Sequence, residues 1–323
     1  MPTAEVFIAA DGAVDDCQPL AAAWGAQVVF VPGPSGSAVA RNRAAALASG
    51  DVLVFVDADV VVAPDSVAGM CRLLATDAGL AGVFGAYDLL PRERNFMSQY
   101  KNLSHAYVHE GGGTQAATFW TGLGAVRTDA FRSVGGFDER FRRPSIEDIE
   151  LGHRLVVAGY SLRLDVRFRG QHLKRWTLGS SIATDIWARG IPWTQLIFRS
   201  RVLPDDLNTS VALRLSVLLT VAMAASLALA FWRLWAAVLA ALLLAAVLGI
   251  NFRYYRWFVR QRGILFALRV VPAHLLHHLC NGVSLVAGTA LHVAGRFGAR
   301  LPGALPTRVW APPPGKGSAN PRT

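Results

Sequence analysis

Apolar positions follow two different patterns in the two parts of this chain. Over roughly the first 200 residues they come in short runs separated by Gly, Pro and Asp breaks; from Val211 onward they run almost without interruption. In the first part, Glu5–Ala9 predicts a strand, AADGAVDD (9–16) a turn, Cys17–Trp24 a helix and Gln27–Val31 a second strand. Pro32 to Ser37 reads as a loop, Ala38–Ser49 as an Ala-rich helix and Val52–Val56 as a strand that runs into Asp57-Ala58-Asp59. Strands alternating with helices at this spacing predict an α/β domain with a mostly parallel, Rossmann-like sheet. Ligands of such sheets bind beyond the carboxyl ends of the strands, and Asp11 and the Asp57/Asp59 pair both stand at such ends.

In the second part, VALRLSVLLTVAMAASLALA and LWAAVLAALLLAAVLGI are separated only by FWR. Two spans of about 20 residues, about 211–231 and 234–250, match what a ~30 Å hydrocarbon core requires. A soluble alternative, two buried core helices, lacks the chain needed to cover them. A third stretch, 272–295, carries four histidines and Asn281 and reads as a further span or a re-entrant segment. Arg199 and Arg201 precede the hairpin, and Arg253, Arg256, Arg260 and Arg262 follow it. The positive-inside rule then places the N-terminal domain in the cytoplasm of a multi-pass inner-membrane protein, with Trp232 and Trp235 at the outer interface. Residues 181–203 mix Trp187, Trp193 and Arg189 with a helix-breaking Pro192, and read as an amphipathic interfacial stretch or an ordinary core helix. The predicted order is a catalytic domain over 1–180, that stretch, a membrane region over 204–296, and a disordered Pro/Gly-rich tail over 297–323.

Composition sharpens this. Hydrophobic residues make up 53% of the 323 and charged residues 17%, which is apolar enough to require membrane segments. The net charge of +10 calls for anionic partners. The basic residues gather around the apolar spans rather than on one helix of the first part, which favours phosphate and anionic lipid over nucleic acid. Three scattered cysteines (Cys17, Cys71 and Cys280) exclude a disulfide framework or a Cys-based zinc site. No basic stretch followed by a long apolar run opens the sequence, so no signal peptide is expected.

Candidate chemistry begins at Asp57-Ala58-Asp59. Residues i and i+2 of a strand share a face, so two carboxylates past a strand end are placed for one hard cation, Mg²⁺ or Mn²⁺, alongside phosphate oxygens and water. Glu147-Asp148 opens a second helix whose apolar residues Leu151, Leu155 and Val156 fall at helical spacing. Two readings stand: acidic residues that complement a helix dipole, or a carboxylate held at a cleft to take a proton. In GQHLKRWT (170–177), Lys174 and Arg175 suit a diphosphate, Trp176 a sugar or lipid, and His172 a metal or phosphate; the stretch also suits anionic headgroups. His105 and His109 lie i, i+4 on a possible helix with no third ligand near in sequence. His274, His277 and His278 read as a packing face. Gly111–Gly113 reads as a mobile loop. Arg41 and Asn42 either touch a nucleotide or simply open a helix.

Four stretches, taken in order, resemble the family 2 glycosyltransferases of the GT-A fold over about residues 5–200. They are AADGAVDD, GSAVARNRAAALASGDVLVFVDAD (36–59), GLGAVRTDAFRSVGGFDERF (122–141) and SIEDIELGHRLVVAGY (145–160). The resemblance implies an inverting sugar transfer from a nucleotide-diphospho-sugar to a lipid-linked or membrane acceptor. Asp148 would be the base with Glu147 beside it, and Asp11, Arg41 and Asp57 would lie at the donor. Asp59, with Asp57 and His172, would hold the divalent metal. Gln171, Arg175 and Trp176 stand where processive members carry Gln-x-x-Arg-Trp, but the spacing is one residue too long, which argues against a polysaccharide synthase. The family's first strand and its Pro-x-Tyr-Asn-like turn are missing, and its Asp-Asp-Gly turn begins here with Ala10. The two readings of that gap are a start lying upstream, which the otherwise intact site pattern favours, and a degenerate relative with a damaged donor site; a non-catalytic membrane partner of another glycosyltransferase is the alternative outside enzymes.

Overall fold

The computed structural model describes residues 4–12, 17–111, 114–200 and 210–296. Its elements follow in chain order as β1 (Phe7–Asp11), α1 (Gln18–Ala23), β2 (Gln27–Val31), α2 (Ser37–Leu47), β3 (Val52–Val56), β4 (Val60–Val62), α3 (Ser66–Thr76) and β5 (Leu80–Tyr87). Then come α4 (Phe96–Gly111), β6 (Gln115–Ala116), β7 (Leu123–Arg127), α5 (Thr128–Ser133), α6 (Glu147–Val157) and β8 (Ser161–His172). The remaining elements are α7 (Leu178–Ala183), a π-helical turn (Thr184–Gly190), α8 (Ile191–Ser200), α9 (Val211–Leu229), α10 (Leu234–Ile250), α11 (Phe252–Arg262) and α12 (Ile264–Arg296). The strands expected over 27–31 and 52–56 form as read, and the first strand is displaced two residues, to 7–11.

β1 and β2 pair in parallel as a two-stranded unit. The larger sheet runs β3-β7-β5-β8-β4, with β6 also on β8. β7 is antiparallel to both its neighbours, and β5 and β8 are parallel, so β3, β5 and β8 all run one way. Because side chains alternate across a strand, β7 sends Leu123 and Ala125 to one face and Val126 to the other. The first face packs on Met70 and Leu74 of α3; the second packs on α2, α5 and α6 through Ala38, Phe131, Leu151 and Leu155. All eight residues of β5 are buried, as a strand covered on both faces requires.

A third core joins the domain to the C-terminal helices. Tyr100 and Leu103 of α4 pack with Tyr254 and Phe258 of α11 and with Ala267 and Val270 of α12. Tyr254 and Phe258 are one turn apart and buried, while Arg253, Arg256 and Arg260 on the same helix are exposed. α9 and α10 instead expose Leu215, Leu218, Val221, Leu227, Val238 and Leu242. A helix apolar all round that leaves leucines uncovered is suited to lipid. By length and composition α9 and α12 are long and apolar enough to cross a membrane, and α10 with α11, bent by 65° between them, makes a third if the pair counts as one span.

Two expectations are corrected. α12 begins at Ile264, eight residues before the predicted start, because Pro272 removes one backbone donor without stopping the helix. Pro192 likewise does not break its segment: it falls in the first turn of α8, directly after the π-helical turn, so helical structure runs on from 178 to 200. One side of that stretch is buried at Asp185, Ile191, Thr194 and Gln195, while Trp187 is exposed. Arg201, the 297–323 tail and Gly112-Gly113 lie outside the described residues.

Candidate active site

β3 hands the chain to a tight turn in which Val60 N donates to the Asp57 carbonyl (2.9 Å). β4 then pairs with the end of β8, Val60 opposite His172. This register brings His172 Nε2 to 3.2 Å from Asp59 Oδ2. That hydrogen bond, outweighing partial burial, holds the Asp59 carboxyl below its usual range. Asp57 turns elsewhere and accepts from Arg41 Nη2 at 2.7 Å. The two carboxylates of the tripeptide thus have different partners, where the sequence reading had them converge on one cation.

Arg41 sits on α2, and the chain entering α2 is tightly fixed. Asp11 accepts from Ser35 N (2.7 Å) and Gly36 N (2.9 Å), so its carboxylate holds the 32–37 loop. Gly36 has φ +102°, and a Cβ there would meet the Phe141 carbonyl at 2.6 Å, so only glycine fits. Asn42, one residue beyond Arg41, donates to Phe137 O and accepts from Phe137 N, both at 2.8 Å. It pins the Gly-Gly-Phe-Asp loop, leaving its amide committed to the fold rather than to a nucleotide.

The second guanidinium nitrogen of Arg41 reaches Glu147 Oε1 at 2.9 Å, and the same oxygen accepts from Ser37 Oγ (2.5 Å). Glu147 Oε2 accepts from Ser145 N (2.8 Å). Burial raises Glu147, but these bonds and the Arg41 charge outweigh it and leave the carboxyl below its usual range. Its neighbour behaves in the opposite way. Among the described residues, Asp148 has only Ile149 N (2.8 Å) and, more weakly, Thr121 N (3.4 Å) as donors. Burial first, then the charges of Glu147 and Asp57, push it up to about 7 against the pull of Arg41. Two adjacent carboxyls at one helix start are therefore separated by their surroundings into a committed anion and a group that titrates near neutrality.

A ring-lined wall continues from His172. Tyr87, at the end of β5, meets His172 edge-on (5.3 Å) and stacks on Trp120 (4.5 Å) and on His105 of α4 (5.1 Å). His105 Nε2 lies 2.9 Å from Arg189 Nη1, on the π-helical turn. Burial, reinforced by the Arg189 charge, holds His105 well below its usual range, so the neutral ring accepts from the guanidinium. The pairing also answers the open reading of His105: its partner is an arginine. Among the described residues no cluster of three or more His, Cys, Asp or Glu side chains occurs. A divalent metal would have Asp59 and His172, two donors already within 3.2 Å of each other. An ion that takes imidazole and carboxylate while leaving positions for phosphate and water fits that pair.

The other residues of the 170–177 stretch do not join this wall. Gln171 Nε2 donates to Leu90 O, and the Arg175 side chain, 74% exposed, has Glu93 at 3.8 Å. Trp176 is 3% exposed, with Lys174 Nζ 4.3 Å and Lys101 Nζ 5.6 Å from its ring, so no face is open to a sugar. Conversely, Ser37, Thr121, Ser145, Tyr87, Trp120 and Arg189 belong to the site and were not singled out from the sequence for it. Ser37, next to a glycine at a helix start, carried the one local signal.

Residues 1–139 match the model of the family described as glycosyl transferase family 2. No curated protein matches the chain. Among solved structures it is similar to the mannosyltransferase PcManGT from Pyrobaculum calidifontis in complex with GDP-Man and Mn2+, at 18% identity and a TM-score of 0.47, over 90% of this chain and 78% of that one. It is also similar to GalNAc-T7 with UDP, GalNAc and Mn2+, at 18% identity and a TM-score of 0.42, over 53% of this chain. The chain spans 37% of the length of that protein. With the family match, the strand arrangement makes the N-terminal part a GT-A-like α/β domain.

Proposed function

We propose, on the match of residues 1–139 to the model of glycosyl transferase family 2, that this chain moves a sugar from a nucleoside-diphospho-sugar to a hydroxyl of a membrane-bound or lipid-linked acceptor, with inversion. The observation that carries this is the split between Glu147 and Asp148. Glu147, saturated by Ser37, Arg41 and Ser145, is a positioning residue. Asp148, raised to about 7 and sparsely bonded, is the base.

In this reading the acceptor oxygen attacks the anomeric carbon as Asp148 takes its proton, and the bond to the nucleoside diphosphate breaks with the electron pair leaving on the phosphate. Asp148 then returns the proton to water. Asp59 and His172 would hold the divalent metal, which when bound offsets charge on the leaving diphosphate. Arg41 fixes Asp57 and Glu147 at a constant separation and so sets the base against the donor. The exposed apolar faces of α9, α10 and α12 support a domain held at a membrane, and the arginines that flank the apolar spans support a cytoplasmic side for it.

The test is Mn²⁺-dependent binding of UDP and GDP to the full chain in detergent, beside Asp59→Ala. Binding that requires both the metal and Asp59 supports the reading. Metal-independent binding, or none, removes it and favours a non-catalytic partner of another transferase.

A further inference from the structure

The ionic pairs of the inner domain are closed: Arg41 with Asp57 and Glu147, Arg154 with Glu150, Lys101 with Asp185. Arg189 departs from that rule. It is half-buried, and the partner of its guanidinium is the uncharged His105 ring, which orients it without pairing its charge. Among the described residues no carboxylate is paired with it. Lys174 is a second cation with no carboxylate at ion-pair distance among the described residues; its amine stands over Trp176, and it lies within electrostatic reach of Arg189 and, on the other side, of Asp59 and Asp57. Two like charges directed to one region repel each other, and an anion that enters between them is favoured.

The backbone that carries Arg189 is fixed on several sides. Asp185, four residues earlier, bonds Lys101 Nζ of α4 (2.6 Å) and His277 Nδ1 of α12 (3.0 Å). The Ala188 carbonyl accepts from Ser145 Oγ (2.6 Å), and Ser145 N in turn holds Glu147. A Cβ on Gly190 would collide with Ser284 of α12, so the turn lies directly against that helix. π-Helical turns are costly and recur at functional positions. Here the turn sets a guanidinium beside the ring wall and one hydrogen-bonded link from the Glu147–Asp148 pair.

We propose that Arg189 receives a phosphoryl group of a substrate bound in this cleft, at a position set by the turn's attachment to α12. The planar guanidinium fork matches phosphoryl oxygens. Phosphoryl groups reach this site from two sources, the donor's diphosphate and the headgroup of a lipid-borne acceptor. The inference deepens the transferase reading and rests on it for both.

The experiment uses the full chain in detergent micelles as wild type, Arg189→Gln and Arg189→Lys. It measures affinity for a long-chain alkyl monophosphate against the matching alcohol and, separately, Mn²⁺-dependent affinity for UDP and GDP. The expected result is a wild-type preference for the phosphate of about tenfold or more, lost in Arg189→Gln and partly kept in Arg189→Lys, with nucleotide affinity unchanged. That result assigns the phosphoryl group to the acceptor. A tenfold loss of nucleotide affinity in Arg189→Gln, with the alkyl phosphate unaffected, also upholds the site and assigns the group to the donor. If Arg189→Gln moves neither affinity, the proposal is wrong. If the wild type binds no nucleotide but shows the Arg189-dependent phosphate preference, the transferase reading fails and the anion site stands.

Discussion

The two sides of the cleft are held together in different ways. On one side, the proposed donor side, Asp11, Arg41, Asp57 and Glu147 form a network in which the cation is shared by two anions and loop backbone occupies the remaining carboxylate. Its members lie at helix starts and strand ends within short motifs. On the other side, Lys101, His105, Asp185, Arg189 and His277 come from three segments far apart in sequence, and the cations exceed the anions. The first arrangement makes a rigid frame with one group, Asp148, left free to change protonation. The second ties the catalytic domain to α12 and leaves a positive charge unanswered.

The largest effect expected lies at the free group of the rigid frame. Asp148→Asn removes proton acceptance while keeping the shape, and sugar transfer should fall about 10²–10⁴-fold; transfer within a few-fold of wild type would mean the frame serves binding and not chemistry. On the other side the largest effect concerns folding. Asp185→Asn leaves the ammonium of Lys101, 5% exposed, without its counter-charge. The cost should be about 3–5 kcal/mol, read as a lower unfolding midpoint in detergent, and an unchanged midpoint would show that apolar packing alone joins the domain to α12.

A pH profile separates the two sides further. Asp148 must be ionised to take a proton, so kcat/KM should rise with pH and level off above about 7. Glu147→Gln removes one of the charges that raise Asp148, and the midpoint should move down; a midpoint that stays in place would assign the limb to another group. The smallest effect tests the boundary of the cationic side. Arg175→Ala should alter activity less than about twofold, because its side chain is 74% exposed and screened. A tenfold loss would bring Arg175 into the site and redraw that side.

Much of the placement of this network was legible in the sequence, because its residues sit where strand ends and helix starts must fall. Val52–Val56 could only be a strand, and residues just past a strand's carboxyl end face the ligand side. The sequence did not disclose that Asp57 and Asp59 diverge, since that depends on β4 pairing with β8 more than a hundred residues away. The resemblance named Asp148 rather than Glu147 as the base, but the residues alone gave no physical ground for ranking them, because Ser37 and Arg41 separate the two from another helix. Trp176 looked like a binding ring because aromatic residues near basic ones often are; its burial under α4 is a tertiary fact. Arg189 stood in a stretch read as interfacial, and nothing local marks which face of a π-helical turn points inward.

The bend between α10 and α11 has a mechanical consequence. α10 is 17 residues long, about 26 Å at a rise of ~1.5 Å per residue, which is short of the ~30 Å apolar slab of an average bilayer. The helix cannot lengthen downward, because α11 turns away by 65° and lodges Tyr254 and Phe258 against α4. If α10 and α11 make one broken span, a thicker bilayer would have to thin around α10 or pull on α11, and through α11 on the helix that carries Lys101 and His105. In that arrangement lipid chain length is an input to the cleft, and short-chain vesicles would leave its geometry relaxed.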